Sequence, residues 1–150
     1  MDHLHIAAWL TLRVTYGLLF LLSAGVLAWD WRRSVERGRP LLGALAGPGT
    51  AAAGAVMAAG GLSVALGVYG RVGAALLALF LVPATAVHVL ELRRARRAGQ
   101  GRVEPGGNVI AELSASAATA HLDSALKNTA LAGVAVFLMV MGTGPGSLWT

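Results

Sequence analysis

Apolar residues in this chain gather into four long runs, and Arg, Gly and Pro dominate the stretches between them. The first run, Leu4 to Trp29, carries a single charge, Arg13. The second, Thr50 to Tyr69, is rich in Ala and Gly. A Gly70-Arg71 turn then leads into the third, Val72 to Leu92, where Pro83 is placed to kink a helix. The last run, Asn128 to Met141 with a flanking turn, has no charge. Runs of this length cross a hydrocarbon core of about 30 Å as helices. The pattern predicts an all-α, polytopic membrane four-helix bundle. It forms a single membrane domain over 1–150, with spans near 5–29, 51–69, 72–92 and 125–142.

The connections are read from the same pattern. Asp30 to Pro40 reads as a basic loop holding Arg32, Arg33, Arg37 and Arg39. Leu41 to Gly49 is apolar but broken by Gly and Pro, and reads as an interfacial or loosely re-entrant approach to the second helix. After Arg93, Arg94, Arg96 and Arg97 comes a Gly-rich loop, Gly99 to Gly107. The weakly periodic Val109 to His121 then fits a short surface helix. A cleaved signal peptide competes for the first run, but Asp2, His3 and His5 stand where such a peptide carries Lys or Arg, which favours a retained helix. With Lys127 counted at the surface, the first loop and the third connection hold ten of the twelve Lys and Arg, with Arg71 alone on the opposite side and Arg13 within a helix. The positive-inside rule then puts both basic connections in the cytoplasm and both termini outside.

Composition agrees with a lipid environment. The chain is 56% hydrophobic and 13% charged, with a mean hydropathy of +0.67, beyond the apolar share of a soluble domain. Cys is absent, which excludes disulfides, thiol redox chemistry within the chain and Cys-ligated clusters. The net charge of +5 lies between apolar runs without interleaved aromatics, so it reads as membrane topology and not as nucleic-acid binding.

A few polar residues stand out against this background. Arg13 shares a helical face with Tyr16, Gly17, Phe20 and Ala24. An Arg two turns into a membrane helix costs about 2.5–3.5 kcal/mol on insertion scales, so it either faces the bundle interior or snorkels to the headgroups. In the second span Gly54, Met57, Gly61 and Val64 line one face, where small residues favour close helix packing over a ligand cleft. His88 and Glu91 lie one turn apart near the end of the third span, and His121 precedes the fourth. One His/Glu pair is too few for a carboxylate-bridged di-metal bundle. Glu91 is expected to be capped by the neighbouring Arg run. Two facing His are candidates to bind a quinone carbonyl or, as the weaker alternative, to ligate haem b. Lys127 fits an anchor to anionic lipid phosphates, and Asn128 a hydrogen bond to another helix. The Gly142-Thr143-Gly144-Pro145-Gly146 tail follows a helix and lacks the Lys-Ser/Thr of a phosphate loop. No catalytic or metal-ligating arrangement appears, so neither role is assigned.

Several stretches carry a family resemblance. They are the Arg13, Gly17, Phe20, Gly25 pattern, Gly60-Gly61 in the second span, His88 late in the third, and Lys127-Asn128 running through to Gly142-x-Gly144-x-Gly146-Ser147-Leu148. Together, in this order, they resemble the DoxX family of small four-helix membrane proteins over most of the chain. The resemblance implies an inward-facing Arg13 and a component of redox-associated membrane systems in the bacterial cytoplasmic membrane. Such a component docks partner subunits or further copies of itself, lies next to quinone, and is expected to have no activity on its own. A haem- or quinone-dependent oxidoreductase and a lipid-binding bundle are the alternatives. The chain departs from the family pattern at Met57, where a Glu that would partner a buried Arg is common, at Val89, where an aromatic often follows the His, and at Trp149 in place of a final Asp.

Overall fold

The structure, a computed structural model, describes residues 3–100 and 107–144. The centre of the Gly-rich connection, 101–106, and the tail from Pro145 through Ser147-Leu148 lie outside the described residues. The elements are α1 (His3–Trp29), α2 (Trp31–Leu42), a 3₁₀ turn (Gly43–Leu45), α3 (Ala46–Leu66), α4 (Gly70–Gln100) and α5 (Gly107–Met141). The chain is all-α as expected. Among the described residues four helical stretches are long and apolar enough to cross a membrane, His3–Trp29, Trp31–Leu66, Gly70–Arg97 and Glu112–Met141.

Two connections differ from the sequence expectation. The basic loop after the first span is the helix α2, because its residues split by face. Ser34, Val35, Gly38 and Leu41 are half-buried, while Arg32, Arg33, Glu36, Arg37 and Arg39 are exposed. Asp30 sits 4.0 Å from Arg33 and 3.9 Å from Arg37, exposed pairs that add little stability. The stretch Val109 to His121 and the fourth span are one helix of 35 residues rather than two elements. No Gly or Pro stands between Gly107 and Gly133 to interrupt it, and its Ala, Leu, Ser and Glu residues propagate a helix without needing a strong amphipathic stripe.

The chain divides into two compact units, one formed by 1–80 with 134–150, the other by 81–133. In the first unit α3 is the central helix. A side chain at Gly61 would meet the Gly17 carbonyl at 2.8 Å and Phe20 Cβ at 3.1 Å, and one at Gly60 would meet Leu77 at 2.8 Å. Thus α1 presses on one side of α3 and the start of α4 on the other, each through a glycine. In lipid no hydrophobic force drives helices together, and this intimacy of backbones supplies the packing. Phe20, Val64, Leu77 and Leu138 fill the core around these contacts. Met57 is buried as well.

Gly67 ends α3 in the left-handed region at φ 72°, with its N–H bonded back to Ser63 and Val64. The Val68 N–H donates to the Ser63 carbonyl at 3.1 Å, closing a Schellman turn. The Ser63 hydroxyl donates to Val68 O at 2.6 Å, which satisfies a carbonyl of the turn into α4. After α5 the chain packs back into the same unit. Thr143 is 1% exposed and occupies the space a side chain at Gly70 would need, and Gly144 lies against the Trp9 ring. Trp9 in turn stacks on Phe137 at 5.5 Å.

The glycine contacts make a direct prediction. A methyl at Gly17 would overlap the Gly61 carbonyl and Ala65, whereas a methyl at Gly25 meets nothing within 4 Å. Gly17→Ala should destabilise the protein by about 1–3 kcal/mol. Gly25→Ala should be neutral or stabilising by up to about 1 kcal/mol. Melting temperatures in one detergent would separate the two; equal tolerance would contradict the packing.

Candidate functional site

The second unit brings His88 and His121 together. Residues 81–100 of α4 and 107–133 of α5 run side by side, and one buried stripe on each faces the other. Leu81 and Leu92 are buried on α4 and Ala125 on α5, with half-buried Thr85, His88, His121 and Asn128 between them. His88 Nδ1 lies 3.4 Å from His121 Nδ1, and the rings are 5.7 Å apart at 40°. A contact of this length is a long N–H···N hydrogen bond. It requires at least one neutral ring, since two imidazolium ions would present only donors to one another.

The other candidates on these helices are not gathered into the same cluster. Glu91 is held by Arg94 at 2.6 Å, as its place before the Arg run suggested. Lys127 is exposed. Asn128 is half-buried on the His121 face, but among the described residues its side chain has no hydrogen-bond partner, so the expected bond to another helix is not made there. No group of three or more His, Asp or Glu able to hold a metal occurs among the described residues.

A groove opens beside the His pair, on a neighbouring face of the same two helices. It has a volume of about 560 Å³ and runs along α4 from Leu81 to Arg93, with Thr129 and Ala132 contributed by α5. Arg93 was not singled out from sequence, where it is only the first member of an Arg run. Its distinction is positional: among the described residues it is the one charged side chain lining the groove.

Arg13 belongs to the first unit. It is 9% exposed, turned inward from α1 with Tyr16, Gly17 and Phe20. Its Nε and Nη1 are buried without a hydrogen-bond partner among the described residues, so neither the Thr143 hydroxyl nor a helix-end carbonyl satisfies them. The packing also shows why a carboxylate at position 57 would not serve it. Gly61 meets Gly17, and Gly54 meets Leu27, so α1 and α3 are antiparallel, with Met57 level with about Ala24. Arg13 lies eleven residues from Ala24 along α1, about 16 Å. The described acidic residues of this unit, Asp30 and Glu36, are at the far end of α1 or beyond it.

With these geometries in hand, comparison with protein-family models, curated proteins and solved structures gives no match. The chemistry of the His pair, the groove and Arg13 therefore carries the functional reading.

A guanidinium keeps its charge at any accessible pH. Burying one with two unsatisfied nitrogens opposes folding, and a well-packed apolar replacement of a buried charge is often neutral or stabilising by about 1–4 kcal/mol. Arg13→Met should accordingly raise the melting temperature in detergent, while Arg71→Met, at an exposed site, should leave it within error. Loss of stability in Arg13→Met would show that the guanidinium is paired in the folded protein.

Proposed function

We propose that this chain is a small multi-pass subunit of a redox-associated complex in the bacterial cytoplasmic membrane. It has no activity of its own, and its α4–α5 pair presents His88 and His121 to a quinone. The observation that carries this reading is the 3.4 Å approach of the two Nδ1 atoms. With both rings neutral, whichever ring donates across that contact leaves its own Nε2 as an acceptor. The ring that accepts carries its proton on Nε2 and becomes a donor. The pair thus offers one N–H and one lone pair outward. A quinone carbonyl accepts the first, and a quinol hydroxyl can yield its proton to the second. Beyond these, a quinone needs only an apolar slot.

Haem b suits the pair less well. Two axial imidazoles must admit a macrocycle between them, and these rings stand 5.7 Å apart with their nitrogens in contact. The DoxX resemblance supports the redox setting. The Lys/Arg count supports an orientation with both termini outside and the ends of α4 and α5 near 93–112 in the cytoplasm. There the exposed Arg residues at the end of α4 suit a partner subunit or a second copy of the chain.

In lipid nanodiscs the purified protein should be colourless and should bind a short-chain quinone saturably. His88→Ala and His121→Ala should each weaken binding about tenfold, the worth of one hydrogen bond of about 1.4 kcal/mol, with the helical content unchanged. A Soret band lost in His88→Ala would replace quinone by haem. Absence of saturable quinone binding would overturn the reading.

A further inference from the structure

We propose a second site on the α4–α5 pair, for one acyl chain and the phosphate of an anionic phospholipid, in the groove between Leu81 and Arg93. It is independent of the quinone reading, since neither His88 nor His121 lines this groove.

The walls exclude polar occupants over most of their length. Val82, Ala86, Val89 and Ala132 offer only carbon. The two hydroxyls in the lining are already used by their own helices. Thr85 donates to Leu81 O at 2.7 Å, and Thr129 to Ala125 O at 2.9 Å. The groove's length sets its depth in the membrane. Leu81 to Arg93 is twelve residues of helix, about 18 Å, against about 15 Å for the hydrocarbon half-thickness of one leaflet. With Arg93 at headgroup level, Leu81 falls near the bilayer midplane. That agrees with its place eleven residues into α4, whose first residue is Gly70.

Charge picks the headgroup. Arg94, the neighbour of Arg93, is occupied by Glu91 at 2.6 Å. Arg93 is exposed and has no acidic partner among the described residues, and Arg96 and Arg97 follow one turn on. A guanidinium at the polar end of a one-leaflet apolar groove matches a phosphate esterified to an acyl chain. A neutral quinone tail would leave Arg93 unmatched.

The test uses the full chain purified in detergent and exposed to equal amounts of phosphatidylglycerol and phosphatidylcholine, with retained lipid read by native mass spectrometry. Wild type should retain about one phosphatidylglycerol per chain, preferred about fivefold over phosphatidylcholine. Arg93→Gln should abolish the preference while still retaining lipid. Ala86→Phe, which fills the groove, should reduce retention of both lipids. Arg96→Gln, outside the groove, should change neither. An equal loss of preference in Arg96→Gln would mean diffuse surface charge and overturn the site. So would equal retention of the two lipids by wild type, or a quinone or peptide retained in the lipid's place.

Discussion

The backbone contact between Gly17 and Gly61 is the constraint on which the first unit depends. A bilayer gives apolar helices no reason to leave lipid for each other, so association rests on dispersion at close range and on satisfied polar groups. Gly61 lets α1 approach one side of α3, and Gly60 lets the start of α4 approach the other, at would-be Cβ distances of 2.8 Å. This register fixes the level of every other feature in the unit. It sets Met57 opposite Ala24 and leaves Arg13 near the α3–α4 turn, far from either described carboxylate. Gly70 and Thr143 follow the same rule, a missing side chain on one element receiving a whole one from another.

The second unit works by a different balance. Its interface contains Thr, His and Asn besides Leu and Ala, and polar groups between helices in lipid are retained for a bond or a ligand they make. The hydroxyls of Thr85 and Thr129 close onto their own helices, leaving the His pair as the polar group that spans the interface. A neutral imidazole pair is self-complementary and still has a donor and an acceptor to offer. The quinone proposed above would use that donor and that acceptor.

Much of the architecture was legible in the sequence because the bilayer enforces long apolar runs. The span of α1 and the shared face of Arg13, Tyr16, Gly17 and Phe20 needed only composition and helical period, whereas the inward direction of that face came from the family resemblance and not from the period. The helix α2 was not legible as one, since Gly38 and Pro40 read as loop signals while the sorting of its Arg residues to one side appears only when faces are compared. The continuity of α5 was hidden by its weak periodicity. Among 20 glycines the sequence does not say which meet across helices, so the Gly17–Gly61 register required the structure. His88 and His121 were candidates for facing each other, but their distance depends on how α4 and α5 are set, which no local signal encodes. The missing partner of Arg13 is likewise a tertiary fact.

Whether His88 and His121 pair within the membrane can be read by nitrogen-15 NMR of imidazole-labelled protein in lipid bilayers at neutral pH. The paired rings should show a coupling between the two Nδ1 nuclei, one ring protonated at Nδ1 and the other at Nε2, and a shift of the Nε2 signals when quinone is added. Two uncoupled rings that titrate independently and ignore quinone would contradict the pairing.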